Sequence, residues 1–586
     1  MSFRPCRRFS AAAAAGLPAV LWCCGPPPPP APAPGTEPAA DEIYRDVTAA
    51  AGLDFVHTHG GFGELYFNEI AGAGGAFLDY DGDGDLDVFL VQGAALDPHA
   101  ADSGPPLLDR LYRNDGVDPA TGVPGFTDVT ESSGLRSDGY GMGVAVADVD
   151  NDGRLDVYVT NWGANRLWHN QGRGGDGTVT FRDVTAASGA GDDRWSTSAA
   201  FFDYDRDGWL DLYVVNYVDF RTGNHVPCRG VSSRRDYCGP QNYEPQPDRL
   251  LRNLGAGGEL VFEDVSGTAG ILAEARRGLG VVTLDADGDG WLDLYVANDR
   301  QVNFLWRNRE GRGFDNEAVL RGCAVNADGV PEASMGVDAG DLDGDGDEDL
   351  FVSHLRTETN TAYVNDGGFF DDRSGALRLT AASLPHTGFG TALLDFDNDG
   401  LLDVVVVNGD VRGIEELVRA SDPFPFGQPD QLFRNLGGGA FGEVPAARAG
   451  SAFARAEVGR GLAVGDVDDD GDPDLLITNA NGPARLLLDT VGQDRPWVGL
   501  RLVGGAARRD LLGARATVEY SGGGSASARV RTDASYCSAR DPRLRFAVPA
   551  GETVRRVRVQ WPDGSEETFG EVAPGRYSVL RQGEGR

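Results

Sequence analysis

The sequence predicts an all-β fold: a seven-bladed β-propeller of calcium-loop repeats followed by a small C-terminal β domain. An Asp-rich loop motif recurs seven times, strand-length apolar runs flank its copies, and residues from about 497 to 580 alternate apolar and polar side chains. At 586 residues the chain is long for one ordinary core, but a repeat architecture lets a single domain grow by accretion. The 83 Gly and the 41% hydrophobic content suit a turn-rich β protein better than a disordered chain.

Charge removes several function classes. With 52 basic and 90 acidic residues the formal net charge is -38, which opposes binding to nucleic acid or to anionic lipid. Every basic residue is Arg. A phosphate-binding GKS/T loop, a lysine Schiff base and a lysine general base are therefore excluded.

At the N-terminus, Arg4, Arg7 and Arg8 precede an apolar stretch from Phe9 to Cys24 that is short for a membrane span and normal for a signal-peptide core. Residues 1–24 read as an export signal, with Cys24 a candidate lipid anchor of the lipoprotein type. Residues 25–41, with the run Pro26 to Pro30, read as a Pro-rich linker. The expected location is extracellular or at the cell surface.

The propeller is assigned to residues 42–490 on the motif D-x-D-x-D-G-x-x-D. Its first, third, fifth and ninth positions are Asp79, Asp81, Asp83 and Asp87; Asp148, Asp150, Asp152 and Asp156; Asp203, Asp205, Asp207 and Asp211; Asp285, Asp287, Asp289 and Asp293. The last three copies supply Asp341, Asp343, Asp345 and Asp349; Asp395, Asp397, Asp399 and Asp403; Asp466, Asp468, Asp470 and Asp474. Four carboxylates crowded at one turn repel unless a cation joins them, and the Gly at position six permits the tight turn. Position seven can add a main-chain carbonyl, from Asp85, Arg154, Trp209, Trp291, Asp347, Leu401 and Asp472. The expectation is up to seven structural Ca2+ ions. These are not EF-hands, because the twelfth position, where a bidentate Glu belongs, holds Leu90, Val159 and Val214 in the first three copies.

Each loop joins two strands, as Val144-Ala-Val-Ala leads into one and Leu155-Asp-Val-Tyr-Val-Thr out of it. A third run follows, such as Arg110-Leu-Tyr-Arg-Asn, Arg166-Leu-Trp-His-Asn or Phe304-Leu-Trp-Arg-Asn, and then a fourth, Phe126-Thr-Asp-Val-Thr or Phe181-Arg-Asp-Val-Thr. Tyr44-Arg-Asp-Val-Thr supplies that fourth element ahead of the first loop. Four-stranded units closed into a ring protect most sheet edges.

These loops, the Phe-x-Asp-Val-Thr elements and the segment Ser334-Met-Gly-Val-Asp-Ala-Gly-Asp-Leu-Asp-Gly-Asp-Gly resemble the VCBS and FG-GAP repeats of the cartilage acidic protein-like family. Gly513-Ala-Arg-Ala, Ser535-Tyr-Cys-Ser, Asp541-Pro-Arg-Leu-Arg-Phe and Val559-Gln-Trp-Pro-Asp-Gly resemble its ASPIC/UnbV domain, placed at residues 491–586. The resemblance implies an extracellular calcium-binding protein. From the residues alone, Arg529-Val-Arg, Val554-Arg-Arg-Val-Arg-Val-Gln-Trp and Arg576-Tyr-Ser-Val-Leu make the same segment a small β domain.

Between Tyr217 and Pro247 an insertion interrupts the repeat. Cys228 and Cys238 are expected to form a local disulfide there, while Cys323 and Cys537 read as free, buried thiols. Arg229, Arg234, Arg235, Tyr237 and Tyr243 of the insertion form a candidate contact surface for a glycan or an extracellular protein. The seven His are scattered, and His57 and His59 with Glu69 offer only a weak second metal site. The residues read as a binding or adhesion module and not as an enzyme. The alternative is a propeller-type polysaccharide lyase or hydrolase that uses calcium to hold an acidic sugar.

Overall fold

The protein is described from a computed structural model over residues 42–97, 107–230, 233–255, 260–422, 424–505 and 509–586. The export signal, the Cys24 anchor and the Pro-rich linker assigned to 25–41 lie outside the described residues.

Seven four-stranded antiparallel sheets repeat one plan. In the second, Gly141–Ala147 leads through the Asp148 loop into Asp156–Asn161, and Arg166–Arg173 and Val179–Asp183 complete the sheet outward. The seven inner strands are Gly75–Leu78, Gly141–Ala147, Ser196–Phe202, Gly278–Leu284, Val337–Gly340, Gly388–Leu394 and Gly459–Gly465. They touch in that cyclic order, the last returning to the first, which is a β-propeller. The last sheet takes its outer strand from the N-terminus: Tyr44–Asp46 pairs with Arg485–Asp489, joining the two ends of the ring.

The strands beside the loops are buried almost end to end, and Asp156–Asn161 and Asp403–Asn408 are so at every residue. A strand covered on both faces calls for continuous β-branched runs, and Val404 to Val407 supply one. Near the axis, backbones of neighbouring sheets crowd together. A Cβ on Gly336 would stand 2.0 Å from the Phe389 carbonyl oxygen, so only Gly fits there.

The C-terminal residues form a three-stranded sheet, Leu544–Ala547, Trp497–Val503 and Tyr577–Arg581, and a four-stranded one, Ser525–Arg529, Arg515–Tyr520, Val554–Gln560 and Glu566–Phe569. They share a core with the second and third propeller sheets, in which Val149, Tyr158 and Leu210 pack with Leu502, Leu511 and Leu512. Residues 40–586 are one compact unit.

The connection between Arg529 and Leu544 fills the propeller channel. Cys537 N donates to Ser198 Oγ and Val144 N to the Cys537 carbonyl. Ala539 bonds both Gly75 and Phe77, Ser535 bonds Val337, and Asp541 N donates to the Val464 carbonyl. Thr283 N donates to Asp533 Oδ2 and Thr391 N to Ser535 Oγ. One segment thus meets the inner strands of all seven sheets. Tyr536, fully buried, donates its hydroxyl to the Ala71 carbonyl at 2.6 Å.

The insertion covers the other mouth of this channel. Tyr217, Phe220, Tyr237 and Tyr243 join Phe67, Trp195 and Tyr536 in one buried cluster. Its outer edge is tied down by Arg235 Nη2 donating to the Glu64 carbonyl at 2.6 Å and Gly413 N donating to Asp236 Oδ1 at 3.3 Å.

Candidate metal centres

In every repeat the ninth Asp holds the hairpin together. One oxygen accepts the N–H of loop position two, as from Tyr80 to Asp87, Val149 to Asp156, Tyr204 to Asp211 and Ala286 to Asp293. Leu342 to Asp349, Phe396 to Asp403 and Val467 to Asp474 complete the set. The other oxygen accepts from the third strand: Asn114, Asn170, Asn253, Asn308, Asn365, Asn435 and Asp489 donate their N–H in turn. Position five accepts from position seven in all seven loops, from Asp83 with Asp85 to Asp470 with Asp472. These Asx turns pre-shape the loop before any ion arrives.

The shape converges oxygens. Ligand atoms of Asp79, Asp81 and Asp87, of Asp148, Asp150 and Asp156, of Asp203, Asp205 and Asp211, and of Asp285, Asp287 and Asp289 lie within 4.8 Å of one another. Several are buried without a hydrogen-bond partner: Asp81 Oδ1, Asp150 Oδ1, Asp285 Oδ1, Asp287 Oδ1, Asp468 Oδ1 and Asp472 Oδ2. Orphaned buried carboxylate oxygens are costly, and a hard divalent cation satisfies them. Burial, with repulsion from neighbouring Asp, pushes Asp148, Asp203 and Asp395 up to about 6 and Asp466 to about 7. Burial likewise takes Asp87 to about 9 and Asp156 and Asp403 to about 8. The donor set therefore fits a cation with oxygen ligands. In the fifth loop, Asp341 accepts from Gly344 and Gly346, and its partners Asp343 and Asp345 are exposed.

At position seven the side chains diverge. Asp472 is fully buried, Asp85 and Asp347 are half-buried, and Asp347 accepts from Gly367 N. Arg154 turns to Asp152 and the Asn170 carbonyl, Trp291 lies 3.7 Å beneath Arg206, and Trp209 and Leu401 are half-buried without a polar role.

Two features of the site lie outside the D-x-D-x-D-G-x-x-D motif. The third-strand residue before the Asn reaches back over the loop: Arg252 pairs with Asp205 and Asp207, Arg307 with Asp287 and Asp289, Arg434 with Asp397 and Asp399, and His169 with Asp150. The repeated Arg-Asn ending of the third run carried that signal. The C-terminal domain also caps the loops with arginines. Arg509 donates to the Gly208 carbonyl, Arg515 to Gly346, and Arg545 to Gly471 and Asp395. Glu348 beside the fifth loop is buried between Arg529 and Arg531, which hold its carboxyl down at about 2 against the opposing effect of burial.

The insertion corrects one expectation. Tyr237 and Tyr243 are 6% and 5% exposed, so they belong to the core and not to a contact surface. Their rings are apolar payload with one polar tip: Tyr237 donates to Glu69 Oε2 at 2.8 Å, and Tyr243 stacks on Phe67. Arg229, Arg234 and Arg235 are exposed; Arg234 donates to the Val418 carbonyl at 3.2 Å. Cys228 and Cys238 form a disulfide, and Cys323 and Cys537 are free and buried. Glu69 spends its oxygens on Tyr66 N and Tyr237, His59 Nδ1 accepts from Gly61 at 4.0 Å from Glu69, and His57 Nδ1 accepts from Asn481 N.

An FG-GAP-like repeat model matches residues 79–159, 148–214, 285–352, 341–406 and 395–477, together more than half of the chain. The ASPIC and UnbV model matches residues 504–586. Cartilage acidic protein 1 of Xenopus tropicalis is 24% identical over 394 residues, covering 58% of this chain and 57% of that protein. The Mus musculus protein is 27% identical over 282 residues, 42% of each chain. The chain spans about half the length of the curated relatives it matches. A lectin of Agrocybe aegerita that recognises non-reducing terminal N-acetylglucosamine gives a TM-score of 0.36 at 13% identity, covering 70% of this chain and 86% of that one. With these repeats before that C-terminal domain, the chain belongs to the FG-GAP repeat and ASPIC/UnbV family of cartilage acidic protein-like proteins.

Proposed function

We propose that the protein is an exported, calcium-stabilised propeller that acts as a binding or adhesion module for a glycan or an extracellular protein, and that its ions are structural. The observation that carries the calcium reading is the set of buried, unpartnered carboxylate oxygens on loops already shaped by their own backbone hydrogen bonds. The extracellular reading is supported by the disulfide and by the similarity to cartilage acidic protein 1. Exposed Arg229 and Arg234 remain the candidate contact residues of the insertion.

Free calcium about tenfold above a site's dissociation constant contributes roughly 1.4 kcal/mol per site. With up to seven sites, excess EDTA is therefore expected to lower the melting temperature by about 5 to 10 °C. An unchanged melting curve would sink the calcium reading. A glycan array with product analysis, run with and without Ca2+, tests the rest: retention without cleavage supports a binding module, and turnover of a bound glycan overturns it.

A further inference from the structure

We propose that a cleft between the propeller and the C-terminal sheets takes an extended acidic peptide, which adds as a strand to the open edge of Ser525–Arg529. This rests on the binding-module reading above and names a ligand class and its place.

The cleft has a volume of about 690 Å3, within the range of ligand-sized sites, and is bordered by the loops that begin at Asp341, Asp395 and Asp466. Ser525–Arg529 forms one wall and ends its four-stranded sheet, so no strand pairs with its open side. Tyr520 N donates to the Gly524 carbonyl and Val530 N to the Ala514 carbonyl, both within the sheet. By the alternation of an antiparallel ladder, Ser525, Ser527 and Arg529 therefore turn their N–H and C=O groups to the open side. Such an edge is a template for another chain. Leu544–Ala547 is a second edge lining the cleft, but the Ala547 carbonyl already accepts from the Tyr520 hydroxyl at 2.8 Å, which leaves Ser525–Arg529 as the template.

Charge selects the guest. Arg515 and Arg545 line the cleft and donate to backbone carbonyls, Arg515 to Gly346 and Arg545 to Gly471 and Asp395, and among the described residues neither forms an ion pair. Each guanidinium keeps donors to spare. The carboxylates bordering the cleft are committed elsewhere: Glu348 to Arg529 and Arg531, Asp541 to Arg543, Asp399 to Arg434, and Asp341, Asp395 and Asp466 to N–H groups of their own loops. Asp472 Oδ2 is among the oxygens assigned to a cation above. Side-chain alternation then sets the pattern of the guest. Ala526 and Ala528 pack on the core of the C-terminal sheets, which leaves Ser525 and Ser527 on the other face. Arg515 precedes the core residue Ala516, and Arg545 lies between the core residues Leu544 and Phe546, so both take the face away from that core. A strand beside Ser525–Arg529 therefore sets apolar side chains level with the alanines and carboxylates level with the serines, on the side of the two arginines.

The test uses the full chain in saturating Ca2+ and a dye-labelled peptide of three Asp-Val repeats blocked at both ends. Binding is expected with a dissociation constant below about 100 μM. A peptide with Asn for each Asp is expected to bind at least about tenfold more weakly, and one N-methylated at every amide not at all, because an added strand needs its own N–H groups. Ser527→Pro removes an outward N–H and no bond of the sheet, and Arg545→Gln removes one of the two charges. Each is expected to weaken binding at least about tenfold with the melting temperature held within about 2 °C. No binding at about 1 mM peptide, binding of the Asn peptide within about twofold, or binding that survives N-methylation overturns the proposal. A glycan array that scores while the peptide is ignored defeats only this assignment, whereas turnover of a bound glycan defeats the binding-module reading.

Discussion

Asn170 shows how one residue ties two sheets. It is fully buried, and its side-chain amide donates to the Tyr80 carbonyl of the preceding sheet at 2.8 Å and to the Leu155 carbonyl at 3.1 Å. Asn114, Asn253, Asn308, Asn365 and Asn435 repeat the device. Asn170→Ala leaves two buried carbonyls unpaired and is expected to cost about 2 to 4 kcal/mol in urea unfolding. His57 makes a different prediction at the same scale. Its folded value of about 3 lies below the ordinary 6.5, so the unfolded chain binds more protons between those values. Its contribution is therefore complete above about pH 6.5 and is lost as pH falls toward 3. In His57→Gln the fall of stability between pH 6 and 4 is expected to be shallower by about 1 kcal/mol per pH unit; equal slopes would count against the burial account. The Asn recurrence was visible in the sequence as an Arg-Asn ending. Its task was not, because the acceptor lies roughly ninety residues away on another sheet.

At the scale of the loop, spacing alone was enough to find the four Asp, since the motif is contiguous and its turns are closed by local hydrogen bonds. The neutralising arginines come from the third strand, and their reach depends on sheet register, which local patterning does not specify. They divide the loops. The third, fourth and sixth carry Arg252, Arg307 and Arg434 over their carboxylates, whereas the fifth and seventh have Val364 and Leu488 at that place and an additional Asp347 or Asp472. Arg307→Met frees Asp289 and leaves Asp287 paired with Arg321 alone, and is expected to tighten calcium at the fourth loop by about threefold to tenfold, read by competition with a chelating dye. Weaker binding in that variant would show that the guanidinium organises the loop instead of competing for it. The insertion shows the opposite limit: its Arg and Tyr content suggested a surface, but aromatic rings over the plugged channel bury themselves against Phe67, Trp195 and Tyr536, and Tyr237 and Tyr243 did so.

For the whole molecule, the segment from Val530 to Asp541 matters most. The sequence contained its Ser535-Tyr-Cys-Ser motif, yet nothing near it in the chain says that it threads a ring built from residues 44 to 489. Because this segment bonds every inner strand, the propeller and the C-terminal sheets are expected to melt together in a single calorimetric transition. Tyr536→Ala removes a buried ring that packs edge-on against Phe389 at 5.0 Å and the hydroxyl bond to Ala71. A loss of about 3 to 5 kcal/mol across that one transition is expected. Two separate transitions in the wild type would refute the coupling.

The pairing of Tyr44–Asp46 with Arg485–Asp489 also sets a timetable. A ribosome delivers the first of these strands long before the second, and the axial segment later still. Until then the early hairpins wait with raw edges, and the ring closes only once the chain has been made through its last repeat.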